Sequence, residues 1–502
     1  MRTKKFLYNS LTTAFYQLIV MLTGFVTPRI MLKYYGSEIN GLISSINQFI
    51  TYFNLVEAGL SGAAIYALYK PIAYQDHKAI NSVVSAAKRF YTQAGYIFIS
   101  LTLGLAVFYP LFIKIQVLNQ FEVMLLILVL GVNGALEFLT LSKYRVLLSA
   151  DQRTYVISLA SLVHVITNTI IIIVLGVMQV NIVILRFVAL LSIFLRSFIL
   201  MVYTKKKYKF LDFSEKPNFQ ALNKRWDALY LQILGVIHTG APIVILTLIT
   251  KNLKLVSVYT IFNMILAGIS GVLSIFISGL SASFGDVIAK GETTIMQKAY
   301  NEFEYAYYAI ITLVYSIAFT TIMPFIRIYT SGVTDINYDI SIVGFLFVMN
   351  GLLYNIKTPQ GMLVISAGLY RETRIQTTIQ GAIAVVIGII LTPFYGIKGV
   401  LIASILSNIY RDIDLFFFIP RNVTKLPIKN TVFRVMRLGI SVFFIYLPFL
   451  FIKLTPRDYI SWMLNALAIG VYAIVVILGM SLFFERDTLK AVYIRFFRMV
   501  KQ

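Results

Sequence analysis

The 502-residue chain contains no cysteine. Disulfides, thiolate nucleophiles and cysteine-based metal centres are therefore excluded. Charge is scarce too: 13% of residues are Asp, Glu, Lys or Arg, against about 25% in an ordinary soluble domain. Histidine is scarcer, with three copies, and no His-Glu-x-x-His pair occurs. No Gly-x-x-x-x-Gly-Lys-Ser/Thr loop is present to cradle a nucleotide phosphate. ATP hydrolysis by this chain drops out, and no metal or cofactor is expected. Acidic residues are outnumbered, 21 to 44 Lys and Arg, for a net charge of +23. In a soluble protein that balance would point to nucleic acid. Here the basic residues sit in short clusters between apolar runs, the pattern that membrane topology imposes, so nucleic acid is not an expected partner.

What is plentiful is apolar surface, with 59% hydrophobic residues and a mean hydropathy of +0.81. A membrane-crossing helix needs about 20 apolar residues. Runs of that kind predict fourteen spans: 7–32, 40–66, 90–113, 121–142, 155–177, 181–203, 226–249, 255–284, 303–328, 338–367, 375–393, 397–419, 433–452 and 461–484. The first run, after Arg2, Lys4 and Lys5, resembles a signal sequence, but it lacks an Ala-x-Ala cleavage site and is long enough to span. With the N-terminus inside, inner segments hold 31 Lys and Arg and outer ones nine. That asymmetry predicts that both termini are cytoplasmic. The 32 tyrosines are read mostly as interface belts. In the tail, Leu489, Val492, Tyr493, Phe496, Phe497 and Val500 share one face opposite a basic one, the pattern of a helix lying on anionic lipid.

The longest polar connector, 205–225, carries Lys205, Lys206, Lys207, Lys209, Lys216, Lys224 and Arg225. Its flanks look like copies. Thr23-Gly24 recurs as Thr239-Gly240, Pro110-Leu-Phe-Ile-Lys114 as Pro324-Phe-Ile-Arg327, and Ser149-Ala150 as Ser366-Ala367, in the same order at nearly one shift. Six spans separate the copies, so both halves have the same orientation and their relating axis runs along the membrane normal. The fold class expected is all-α, with an N-terminal six-helix lobe (1–204), the basic linker (205–225), a second lobe (226–420), two further spans (421–484) and an amphipathic tail (485–502). Two parallel halves suit alternating access.

Pro28-Arg-Ile-Met-Leu-Lys33-Tyr-Tyr-Gly36-Ser-Glu38-Ile-Asn-Gly41-Leu42, followed by Tyr52-Phe-Asn-Leu-Val-Glu57-Ala-Gly59-Leu60, resembles the first two helices of Wzx-type polysaccharide flippases. These belong to the multidrug/oligosaccharidyl-lipid/polysaccharide exporter superfamily. Leu147-Leu-Ser-Ala150-Asp-Gln152-Arg153-Thr-Tyr155 is similar to a second recurrent stretch of that family, and the helix count spans the whole chain. The resemblance implies a flippase of the bacterial cytoplasmic membrane that moves undecaprenyl-diphosphate-linked oligosaccharide units to the outer leaflet. Membrane lipids, a polysaccharide polymerase and chain-length machinery would be its partners. A drug or ion antiporter of the same superfamily is the alternative, and a membrane-embedded polymerase or glycosyltransferase ranks third because the outer loops are short.

Ionisable groups inside spans are costly and mark sites by default. Arg196, Lys357, Arg411 and Arg186 are the candidate cations for a substrate diphosphate. Asn350, Tyr354, Asn408 and Asn168 are candidate hydrogen-bonding partners for sugars. Asn350, Tyr354, Lys357 and Gly361 follow helical spacing on one face. Asn47, Thr51, Asn54, Glu57 and Ser61 form a similar stripe on the second span. Glu57, Glu137, His164 and Asp412 are assigned to coupling or charge pairing, with Glu57 or Glu137 as rival partners for Arg411. Asp412-Ile-Asp414 matches the Asp-x-Asp of glycosyltransferases, but in an apolar helix it is not read as a metal site.

Overall fold

A computed structural model describes residues 2–222, 225–278 and 280–500. Lys224 of the basic connector lies outside the described residues, as do the side chains of Phe496, Phe497 and Val500 on the tail's apolar face. All regular elements among the described residues are helical, as the apolar runs require, because a helix satisfies its own backbone in hydrocarbon. Two compact units form, Met1–Thr260 and Ile261–Gln502.

The first contains α1 (Arg2–Phe53), α2 (Leu60–Ala73), α3 (His77–Phe112), α4 (Gln120–Leu136), α5 (Ser142–Ala150), α6 (Thr154–Val177), α7 (Ile182–Leu190), α8 (Ser192–Lys207), α9 (Arg225–Ile245) and the start of α10 (Leu253–Ser278). The second contains the rest of α10, then α11 (Leu280–Ala289), α12 (Thr293–Tyr329), α13 (Ser341–Ile356), α14 (Thr358–Ser366), α15 (Arg374–Tyr395) and α16 (Ile397–Ile419). It ends with α17 (Ile428–Tyr446), α18 (Tyr459–Phe484) and α19 (Arg486–Val500).

Twelve stretches of the described chain are long and apolar enough to cross a membrane, two fewer than expected, and both differences have a physical reason. The first stretch, Tyr8–Ala73, is 66 residues long, about 100 Å if straight and far beyond the roughly 30 Å of hydrocarbon. It turns back at Gly36, whose φ of 80° and ψ of 174° suit only glycine well. Its contacts trace the reversal. Asn9 bonds Gln152 and Tyr155 at the start of α6, whereas Tyr35 reaches Val180, past the other end of α6. Glu38 then accepts from Gln116 beyond α3, and Glu57 has returned to Arg145 on α5. The second difference is α16, a 23-residue helix that carries Lys398, Arg411, Asp412 and Asp414 and is more polar than the other twelve stretches. Counting the reversal and α16 gives fourteen segments.

Along the returning arm of α1, Ile39, Leu42, Ile43, Ile46 and Ile50 recur at helical spacing and are buried. Polar residues beside them find partners: Asn40 donates to Ser257 at 2.8 Å, and Ser45 accepts from Tyr109 and Thr247, each at 3.0 Å. Gly41 sits where a Cβ would collide with the backbone carbonyl of Leu253, so the Asn40-Gly41-Leu42 signature is a site of close helix approach. Gly41→Ala is expected to lower thermal stability, since overpacking costs about 1–3 kcal/mol. An unchanged melting curve in detergent would refute the close approach.

In the second unit, α12 buries Tyr300, Tyr305, Tyr307, Tyr308, Tyr315 and Tyr329. These tyrosines are internal rather than part of an interface belt. The hydroxyls of Tyr307 and Tyr308 donate to Asn355 Oδ1 and to the Ile356 carbonyl, each at 3.0 Å, at the point where α13 gives way to α14. Pro359 in the first turn of α14 brings no N–H to the helical ladder, and Tyr308 binds the neighbouring Ile356 carbonyl at this break.

The tail helix α19 is tied to α12 by Arg495–Glu302 at 2.6 Å, so a residue of its basic side is engaged by protein.

Candidate functional site: polar clusters within the spans

Within the first unit, Arg145 is the centre of the cluster. Its guanidinium donates to Glu137 Oε1 at 2.7 Å and to Glu57 Oε1 at 2.8 Å. Arg196 on α8 approaches the same Glu137 oxygen at 3.5 Å. The chain is distorted to make this possible. The helix continuing α4 widens into a π turn over Glu137–Leu141, and α1 ends in a 3₁₀ turn over Asn54–Glu57 before Gly59 at φ 77°. The expected stripe Asn47–Ser61 therefore does not lie on one continuous helix.

Arg196 is mostly buried, with 13% of its side chain exposed, and it is only loosely paired. Its Nε, the Arg186 Nε and Glu57 Oε2 are buried with no hydrogen-bond partner among the described residues. His164 Nδ1 and Ser192 Oγ lie 2.9 Å apart, near the Arg196–Glu137 contact. Arg186 lies instead near Tyr35, and Asn168 joins no hydrogen bond among the described residues.

The second unit gathers Lys357, Asn408, Asn350, Tyr354 and Asp412. Lys357 Nζ donates to Asn408 Oδ1 at 2.5 Å and stands 4.8 Å over the Tyr354 ring. Asn408 Nδ2 donates to Asn350 at 2.9 Å, and Gln380 on α15 approaches Asn408 at 3.4 Å. Asp412, one turn beyond Asn408, is 4% exposed, and neither carboxylate oxygen has a hydrogen-bond partner among the described residues. Lys357 sits at the interruption between α13 and α14, so Gly361 belongs to the following helix and the predicted stripe ends at the break. Arg411 pairs with Asp414 at 2.5 Å, a nearer partner than the glutamates expected from sequence.

Sequence reasoning missed a further buried network in this unit. Glu304 Oε1 accepts from Tyr300 at 3.0 Å, Gln360 at 2.9 Å and Thr431 at 2.8 Å, while Oε2 takes Arg434 at 2.8 Å. Arg434 also pairs with Glu485 at 2.8 Å, and Glu485 holds Arg437 as well. Arg434 and Arg437, at the start of the expected span 433–452 but not among its candidate cations, are 2% and 7% exposed inside α17. Arg145, just past the expected span 121–142, was likewise not singled out. In each case the signal available was a cation at helical spacing from the apolar run, with carboxylates elsewhere in need of a partner.

The stretch Leu147–Tyr155 serves as a fastening. Asp151 accepts from Arg153 at 2.6 Å and from Tyr208 at 2.6 Å, and Arg153 donates to Tyr203 at 2.9 Å. Burial opposes the charge of Arg153, but the bonds to Asp151 and Tyr203 outweigh it and hold its pKa above the usual value. Burial, reinforced by donation to Asp151, raises the Tyr208 hydroxyl above 10, so its proton and this bond persist through neutral pH and are lost only as pH rises through that elevated value.

No protein-family model matches the chain, and no curated protein matches it. Solved structures do. A lipid II flippase, MurJ, in an inward closed conformation superposes with a TM-score of 0.68 at 16% identity, covering 96% of this chain and 99% of that one. An inward-facing multidrug resistance MATE family transporter of the MOP superfamily gives 0.65 at 12%, covering 86% and 98%. A MOP superfamily transporter from Pyrococcus furiosus gives 0.53 at 13%, covering 84% and 95%. The chain has the fold of these transporters and is a multi-pass membrane protein.

Proposed function

We propose that the chain is a flippase of the bacterial cytoplasmic membrane, moving undecaprenyl-diphosphate-linked oligosaccharides of a capsule, O-antigen or exopolysaccharide to the outer leaflet by alternating access. The observation that carries this reading is the pair of buried guanidinium groups, Arg196 and Arg186, each with an unused Nε. A diphosphate does not cross hydrocarbon unaided, and forked guanidinium donors replace its hydration. Arg145 and Arg196 face Glu57 and Glu137 in one cluster, and Arg186 adds a further buried cation near Tyr35. Lys357 with Asn408, Asn350 and Tyr354 offers a second cation beside amide and aromatic groups suited to sugars, and Arg411 is a weaker candidate because Asp414 neutralises it. The fold shared with a protein described as a lipid II flippase supports the same reading. So does the resemblance of the first two helices to polysaccharide flippases, whose polymerase and chain-length proteins would then be partners.

The superfamily's multidrug transporters share the fold equally well in outline, and an exported cationic drug would want the carboxylates Glu57, Glu137 and Asp412 instead. Deleting the gene separates the two. Accumulation of lipid-linked repeat units on the cytoplasmic leaflet supports the flippase. Normal surface glycan together with new drug sensitivity defeats it.

Orientation is testable because the chain has no native cysteine. Single cysteines at 118, 252, 334 and 456 are expected to react with an impermeant maleimide in intact cells, and those at 76, 212 and 427 to be protected. The reverse pattern would overturn the cytoplasmic placement of both termini.

A further inference from the structure

Within the first unit, the connector that follows α8 is laid across the start of α3 and fixed there. Asn81 Nδ2 donates to the Phe210 carbonyl at 2.9 Å, and its Oδ1 accepts from the Asp212 N–H at 3.2 Å. The Asn218 N–H donates to the Ser82 carbonyl at 3.2 Å. Phe210 stacks on His77 with ring centres 3.7 Å apart. Phe213 lies between these fastenings in sequence, with its ring edge-on to Tyr144 of α5 at 6.0 Å.

Three lysines from separate helices gather at this point. Lys88 Nζ of α3 stands 5.3 Å from the centre of the Phe213 ring and Lys143 Nζ of α5 stands 5.4 Å from it. Lys205, in the last turn of α8, completes the group, since it and Lys88 are the charged neighbours that act on Lys143. None of the three joins an ion pair or hydrogen bond among the described residues. The acids of the region are engaged elsewhere. Asp212 accepts from the Ser214 N–H and hydroxyl at 2.8 and 2.7 Å, and Asp151 holds Arg153 and Tyr208. Glu215 lines a groove, with Lys70, Lys78 and Lys216, that none of the three lysines lines.

We propose that Lys88, Lys143 and Lys205, set around Phe213, bind the phosphate of an anionic lipid headgroup in the cytoplasmic leaflet. The three lie one or two residues outside the apolar runs 90–113, 121–142 and 181–203, at the level where headgroup phosphates stand. Membrane topology accounts for lysines near inner span ends. It does not account for three of them closing on one another, since like charges repel until an anion lies between. The ring holds Lys88 and Lys143 in place by cation–π contact, and Lys205 is exposed, able to swing over a phosphate. The choice of leaflet rests on the orientation proposed above. The site itself does not depend on the flippase reading, because its test reads lipid binding and not export.

The test uses the full chain, delipidated in a neutral detergent, with melting temperature followed against added dioctanoyl phosphatidylglycerol. A saturable rise is expected with this lipid and none with dioctanoyl phosphatidylcholine. K88Q/K143Q/K205Q is expected to weaken the apparent affinity at least about tenfold, each lysine at a membrane surface adding to the attraction for anionic lipid. K206Q/K207Q/K209Q removes the same charge from exposed lysines of the same segment and is expected to keep wild-type affinity. Should the first triple variant not fold, Lys143→Gln alone is expected to weaken binding about fivefold. The proposal falls if the two triple variants lose affinity equally, or if K143Q binds as the wild type does. Stabilisation by inorganic phosphate at the same concentrations as the lipid would make a soluble anion the occupant and overturn the lipid assignment.

Discussion

Arg434→Ala is expected to leave little folded protein in the membrane. Arg434 is 2% exposed and bridges two carboxylates on separate helices, Glu304 at 2.8 Å and Glu485 at 2.8 Å. Its loss would strand Glu304, itself 1% exposed, with only neutral donors. Removing one partner of a buried pair costs about 3–5 kcal/mol, a large part of the roughly 5–15 kcal/mol that holds a typical domain folded. The effect should centre on α17 and α18, because Arg434 joins both to α12, and through Gln360 the same carboxylate reaches α14. Neutralising the stranded acid in E304Q/R434A is expected to recover part of the abundance, since Glu485 keeps Arg437 as its partner. Wild-type melting behaviour of R434A would show that the network contributes nothing measurable.

Much of the helical architecture was legible from hydropathy alone, since each crossing needs its own apolar run. Gly36 as the point of reversal was not, because a glycine between two apolar runs reads the same whether the chain turns or continues. The polar partners were less legible still. Arg145, Arg434 and Arg437 lie close to other basic residues at the ends of expected spans, where a cation reads as a topology signal rather than as a buried partner. Their true partners lie far off in sequence: Glu57 is 88 residues from Arg145 and Glu304 is 130 from Arg434. The stripe Asn350–Tyr354–Lys357 could be seen because those residues share one helix, and it failed at Gly361, where Pro359 interrupts the ladder. Glu57 and Glu137 were recognised as pairing groups, and what sequence could not supply was the partner, Arg145. Gln380 was overlooked because a lone glutamine in an apolar helix carries no charge to mark it, and its neighbour Asn408 is 28 residues away in sequence.

Arg196→Ala and Arg145→Ala should fail in different ways, although both remove a guanidinium near Glu137. Arg145 satisfies Glu57 and Glu137 together at 2.8 and 2.7 Å, so its loss strands Glu57 and leaves Glu137 with only the looser Arg196. Protein abundance should drop, with part of it recovered in E57Q/R145A, where Glu137 keeps Arg196. Arg196 stands 3.5 Å from a Glu137 oxygen already engaged. Removing it leaves Glu137 partnered, so R196A should accumulate normally. If the guanidinium binds a diphosphate, export by R196A should nonetheless fall by about tenfold or more, since a charge-assisted bond contributes about 1.5–3 kcal/mol. Arg196→Lys should be only partly impaired, keeping the charge but losing the fork. Arg411→Ala should sit between these cases, because Asp414 loses its 2.5 Å partner but is itself 18% exposed and nearer to water. The measurements are membrane abundance, melting temperature and transfer of lipid-linked oligosaccharide to the outer leaflet, made on all variants together. Normal export by R196A at wild-type abundance would remove Arg196 from the substrate site, whereas loss of abundance matching that of R145A would make it a structural partner of Glu137.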